Sequence, residues 1–151
     1  MYHRFPNPLP RISKVVENIF YNPMLTFNRK AFAIFIALFL TEVMIAVYVH
    51  DAIIRPFFGD FLAVIALFFL LKSFLKFSDF TLAVSSLLFA YFLEILQYFD
   101  FLTYSGLKNY RIVAIVLGSS FDWGDILAYT LGVLFVMLLE KQLGQKHENL
   151  I

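Results

Sequence analysis

The sequence predicts an all-α, polytopic membrane protein: four transmembrane helices, a basic amphipathic helix ahead of them and a short interfacial helix at their outer edge. Three observations predict it. Of the 151 residues, 61% are apolar and 15% charged, where soluble domains average about 45–50% and about 25%. The apolar residues gather in four runs, Ala31–Val49, Phe61–Phe77, Phe80–Phe99 and Ile126–Leu143, and a helix crossing ~30 Å of hydrocarbon takes roughly 17–25 residues. The mean hydropathy is +0.78, which leaves four soluble helices too little polar surface to face water.

The chain divides into a tail over 1–30, a membrane domain over 31–143 and a second tail over 144–151. In the first tail, Ile12, Val15, Val16, Ile19 and Phe20 recur at helical spacing, with Arg11, Lys14, Glu17 and Asn18 on the other face. Pro10 suits a first turn and Asn22-Pro23 ends the pattern. A basic amphipathic helix of this kind lies on a membrane surface. The first apolar run, broken only by Thr41 and Glu42, is longer than a signal-peptide core and is followed by no small-x-small site, so it reads as an anchor.

The second run is the shortest. Lys72 and Lys76 near its end extend it by snorkelling to the headgroups, and Asp60, just ahead of it after Gly59, reads as a helix cap. In the third run, Glu94, Gln97 and Tyr98 share a face, and Gln97 is a natural partner for Glu94. Between the third and fourth runs, Arg111–Leu117 is apolar after its first residue but too short to span. A short interfacial or re-entrant helix satisfies its backbone better than an unpaired strand. The fourth run opens on Asp122, an N-cap candidate. Asp125 lies in the first turn, where the helix dipole favours an acid. Gly124, Ala128 and Gly132 form a small-residue stripe, expected to seat the fourth span against the third.

Orientation follows from lysine and arginine. Arg4, Arg11, Lys14, Arg29 and Lys30 precede the first run, Lys72 and Lys76 lie in the second connection, and Lys141 and Lys146 close the fourth. Arg55, Lys108 and Arg111 stand alone at the opposite edge. Both termini are therefore expected in the cytoplasm. The acids collect near the outer edge. Glu42 lies about 12 Å below it and Glu94 about 9 Å, at ~1.5 Å of rise per residue. An acid inside a span is costly and marks a functional site by default, against the alternative of a satisfied interhelical contact. The candidate ligand-binding residues are Glu42, Arg55, Glu94, Gln97, Arg111, Asp122, Asp125 and Tyr129. Ionised, the acids suit an amine; protonated, Glu42 or Glu94 would donate to a sugar or phosphate oxygen. Arg111 suits an anionic group. With no cysteine and a lone loop histidine, His50, neither a metal nor any other cofactor is expected, and nothing suggests nucleic acid.

Glu94-x-x-Gln97, Arg111 and the stretch Phe121-Asp122-Trp123-Gly124-Asp125-Ile126-Leu127-Ala128-Tyr129-Thr130-Leu131-Gly132 resemble the second half of VanZ-like membrane proteins, with Tyr129 where that family usually has asparagine. Together with Glu42, His50-Asp51, Arg55-Pro56 and Gly59-Asp60, the chain over about 28–142 is similar to small bacterial proteins of the domain of unknown function 2809 family. The resemblance implies a bacterial cytoplasmic (inner) membrane and a place in the cell envelope. The VanZ name comes from low-level resistance to the glycopeptide teicoplanin. Three functional classes follow. The first is a non-enzymatic protein that binds an envelope precursor, lipid headgroup or glycopeptide-type antibiotic in an outward-facing polar pocket. The second is a small enzyme using Glu94 and Asp125 as acid and base, which would lack a positioned nucleophile. The third is a proton-linked transporter subunit, which would lack a polar path through its lower half. The first is the leading reading.

Overall fold

The computed structural model describes residues 25–49, 51, 54–106 and 121–148. The expected N-terminal amphipathic helix, the interfacial segment 111–117, His50 and Arg111 lie outside the described residues. Helix α1 spans Arg29–Tyr48, α2 Ile54–Phe74, α3 Asp79–Tyr98, α4 Phe101–Tyr104 and α5 Trp123–Glu148. Four of these, all but α4, are long and apolar enough to cross a membrane. The fold is all-α and polytopic, as the composition and run lengths predict.

The helix starts are set by short polar side chains. Asn28 accepts from the backbone N–H groups of Lys30 and Ala31 and so caps α1. Ser78 accepts from Thr81 N–H at 3.2 Å and caps α3, with Asp79 in its first turn. Asp122 accepts from Gly124 N–H at 2.8 Å, which satisfies one orphan donor of α5 in the expected way. The α3–α4 corner turns at Asp100, whose φ of 48° is left-handed. Aspartate tolerates that region better than most residues, and Thr103 Oγ1 donates to its Oδ1 at 2.9 Å. The α4 turn went unforeseen because Phe101–Tyr104 carries no start signal of its own.

Two boundaries move. Helix α2 begins at Ile54, ahead of the expected start at Phe61. Pro56 lies in its first turn, where a missing N–H costs nothing. Asp60 is therefore inside the helix and not a cap. At the other end, α5 runs to Glu148, beyond Leu143, where the fourth apolar run ends. Gln142, Gln145, Lys146 and Glu148 are good helix formers, so the helix outlasts the apolar run.

Helix α2 is the hub. It packs on α1, α3 and α5, and α3 also packs on α5. The short links after α1 and α2 make successive helices antiparallel. Thr26 N–H donates to Phe74 O at 2.9 Å and Asn28 N–H to Ser73 O at 2.8 Å, tying the entry to α1 against the end of α2. The α2–α3–α5 core is filled by Val64, Phe68, Leu82, Ala83, Val133 and Val136. Inside lipid this core gains by close packing and not by leaving water. Its buried hydroxyls, Ser73 and Ser86, bond back to the carbonyls of Phe69 and Leu82, so they leave no unmet polar group. Helix α1 is the outlier. Ala31 is its one buried residue, and Ile34, Phe39, Leu40, Met44 and Val47 are exposed, as a lipid-facing helix requires.

Gly132 corrects the packing expectation. A Cβ there would stand 2.5 Å from Val64 Cγ1 and 2.7 Å from the carbonyl oxygen of Phe61. Both belong to α2, so Gly132 meets the second span rather than the third. Gly124 has a different role: its nearest neighbour is the Asp122 carboxylate that bonds its N–H.

Lys72 also differs from its expected role. Instead of snorkelling alone, its Nζ lies 2.8 Å from both Asp79 and Glu140, and over the Phe68 ring. One ammonium thus joins the end of α2 to the start of α3 and the late turns of α5. An exposed pair contributes about 0–1 kcal/mol, whereas breaking a buried pair costs about 3–5 kcal/mol. Lys72 is one-fifth exposed, so Lys72→Met should lower the melting temperature of the protein in detergent by an amount between those limits. An unchanged melting temperature would show the clasp to be idle.

Candidate functional site

The site is built at the end of the bundle opposite the Lys72 clasp. Each spanning helix brings an acid there: Glu42 near the end of α1, Asp60 near the start of α2, Glu94 near the end of α3 and Asp125 in the first turn of α5. Tyr129, one turn beyond Asp125, is the centre of the arrangement. Its hydroxyl donates to Asp60 Oδ1 at 3.0 Å and lies 3.4 Å from Glu94 Oε1. The Asp125 carboxyl lies near that of Asp60 across the α2–α5 contact.

Burial separates the acids. Glu94 is 1% exposed, and its Oε2 accepts no hydrogen bond. Glu42 is half-buried, with Oε1 likewise enclosed and unpartnered. A buried polar atom without a partner is uncommon and calls for a specific cause. Among the described residues, the ion pairs are those of Lys72 at the far end, and none reaches these acids. Among the described residues, the cluster is one of acids and a hydroxyl. No group of three or more metal-ligating side chains among the described residues is arranged to hold a metal ion.

Arg111 lies outside the described residues, and each of the other candidates from the sequence has a definite place. Glu94, Asp125 and Tyr129 converge, and Glu42 lies on α1 at the same end of the bundle. Asp122 stays at the rim as the exposed α5 cap. Arg55 is exposed at the start of α2, outside the ring of acids. Gln97 is not the partner of Glu94; Tyr129 takes that role from the facing helix. Tyr98, on the same nominal face as Glu94, is 66% exposed and sits edge-on to Phe99 and Phe121. The site residue that sequence reasoning missed is Asp60. Its signal was Pro56, a helix-start residue four positions ahead, which places Asp60 a turn inside α2.

A groove of about 230 Å³ opens at the opposite end, lined by Phe68, Asp79, Phe80, Met137, Glu140 and Lys141. It borders the Lys72 clasp and shares no residue with the acid cluster. Between the two ends the polar contacts are sparse, with Tyr91 and Thr130 hydroxyls paired at 2.6 Å.

Residues 49–133 match the model of a family described as a protein of unknown function, DUF2809. The matched segment carries Asp60, Glu94, Asp125 and Tyr129, and excludes Glu42 and Glu140. The VanZ-like likeness rests on the sequence motif alone. No curated protein and no solved structure matches the chain.

Proposed function

We propose that this chain, which belongs to the DUF2809 family of unknown function, is a membrane protein that binds the cationic group of a polar cell-envelope component at its acidic end. The observation that carries this reading is Glu94. Its carboxyl is withdrawn from solvent and one oxygen has no donor, in a ring of acids that the described lysines and arginines leave unpaired. A carboxylate only accepts hydrogen bonds, so a ligand ammonium supplies what the ring lacks. An envelope precursor, a lipid headgroup or a glycopeptide-type antibiotic could present such a group. Binding by the full chain in nanodiscs of phosphatidylglycerol tests this. A soluble phosphoethanolamine headgroup should bind, and its N-acetylated form should not. Equal binding of the two, or binding of neither, would overturn the reading.

The same reading sets the acidic end outside and both termini in the cytoplasm of a bacterial inner membrane, supported by the lysine and arginine distribution. In this cysteine-free chain, single cysteines report orientation directly. Ser105 and Phe77 are both exposed, at opposite ends of the bundle. Phe77 is preferred to Ser78 because the Ser78 hydroxyl caps α3. An impermeant thiol reagent applied from the periplasmic side should label Ser105→Cys and spare Phe77→Cys. The reverse pattern would invert the orientation.

A further inference from the structure

The groove beside the Lys72 clasp lies at the end of the bundle away from the acids, and the charge there has the opposite sign. Asp79 and Glu140 each lie 2.8 Å from Lys72 Nζ, so one ammonium is shared between both acids. Arg29, Lys30, Lys76 and Lys141 stand exposed at the same end and enter no ion pair among the described residues. The charge left over at this end is positive. Lys141 belongs to the groove lining, and its ammonium has three donors and no acceptor.

The groove also changes polarity along the helices. Phe68 lies one turn before Lys72 on α2, and Met137 one turn before Lys141 on α5. Each apolar residue therefore sits about 6 Å deeper in the bundle than its lysine, at ~1.5 Å of rise per residue. Phe80 adds a ring from the first turn of α3, 64% exposed. Apolar surface below and charge at the rim is the order in which a bilayer lipid presents its chains and headgroup. The volume of about 230 Å³ is below the roughly 300–1,000 Å³ of pockets that enclose drug-sized molecules. It suits a length of one slender chain and not a fused-ring body. A headgroup with net negative charge gains from the surplus of cations, an attraction that a zwitterionic headgroup offsets with its own ammonium.

We propose that this groove binds one anionic phospholipid of the bilayer, with an acyl chain laid over Phe68, Phe80 and Met137 and the phosphate held by Lys141. The walls come from α2, α3 and α5, the elements that the Lys72 clasp ties together. Lys72 borders the lipid without holding it, because both of its acids keep it engaged. The lipid site shares no residue with the acid cluster, so it stands apart from the binding of an ammonium at the other end.

Native mass spectrometry of the full chain in detergent, titrated with phosphatidylglycerol or with phosphatidylcholine of the same acyl chains, counts bound lipids directly. One phosphatidylglycerol should be retained in preference to phosphatidylcholine. Lys141→Gln should weaken its binding about fivefold, the effect of one lysine near a membrane surface. Lys30→Gln removes an equal charge from the same end, on α1 and outside the groove lining, and should leave the lipid in place. Met137→Trp fills the apolar floor and should displace the lipid although Lys141 remains. Glycerol phosphate, which has the anion and no chain, should not compete. Equal weakening by Lys30→Gln and Lys141→Gln would reveal a diffuse attraction to the charged end and overturn the site. Equal retention of the two lipids, full binding by Met137→Trp or displacement by glycerol phosphate at matching concentration would overturn it as well. Lys141 is exposed and outside any described ion pair, so Lys141→Gln keeps the fold, which an unchanged melting temperature checks. No ammonium ligand enters these measurements, so failure here is distinct from failure of the binding reading.

Discussion

Gly132→Leu should be the most destabilising single substitution in the core of the bundle, and Gly132→Ala should already be costly. The position has no room for a methyl group. Its added Cβ would meet Val64 Cγ1 at 2.5 Å and Phe61 O at 2.7 Å. Val64 is 1% exposed and has nowhere to turn, and the Phe61 oxygen belongs to the α2 backbone. Overpacking of this kind costs about 1–3 kcal/mol and occasionally more. Alanine should fall in that range, and leucine should exceed it by driving α5 off α2. Gly59→Ala is the internal control. Nothing lies within 4 Å of its added Cβ, and replacing a helical glycine gains about 0.5–1 kcal/mol. Thermal unfolding in detergent, followed by size-exclusion fluorescence, would order the variants as Gly59→Ala, wild type, Gly132→Ala, Gly132→Leu. A Gly132→Ala protein as stable as wild type would mean that α2 and α5 do not approach this closely. Loss of the α2–α5 contact would also part Asp60 from Asp125, so packing and site should fail together.

The second large effect is functional. Expression of the wild-type chain should change cellular sensitivity to glycopeptide-type antibiotics, and Glu94→Ala or Asp125→Ala should abolish the change at unaltered protein level. Glu94 is the buried acid with an unmet oxygen, and Asp125 lies near Asp60 in the same cluster. Removing either takes away a charge that the ligand ammonium would meet. In the nanodisc assay, loss of one charge-assisted hydrogen bond should weaken phosphoethanolamine binding at least tenfold, about 1.4 kcal/mol. Asp122→Asn is a useful contrast. It keeps an oxygen to cap α5 and lies at the exposed rim, so its effect should be smaller. If both alanine variants protect or sensitise cells like the wild type, the acids are a structural contact and the binding reading fails.

The site was legible only in part. Glu94 and Asp125 stood out because a mid-span acid and a helix-start acid at one depth are unusual in an apolar chain. Tyr129 was reached through its spacing from Asp125. Asp60 was hidden by its position next to Gly59, which imitates a cap, until the helix start moved back past Pro56. Gln97 was over-read, because a shared face along one helix says nothing about which neighbour that face meets.

What the sequence alone determined is the kind of protein this is. Run lengths set against the thickness of a bilayer define four spans, and Asp122 marks where the fourth of them begins. These are local properties, written in composition and in near neighbours along the chain. The order of helices around the core was decided only by tertiary structure. In a soluble bundle an apolar stripe declares the inward face, but here lipid and core are equally apolar, so periodicity carries little direction. Gly132 could have met any helix, and contact with Phe61 and Val64 chose α2. Lys72 could have reached for headgroups, and Asp79 with Glu140 held it in the bundle. Asp60, Glu94 and Asp125 are far apart in sequence, and they became one site because α2, α3 and α5 pack around a single tyrosine.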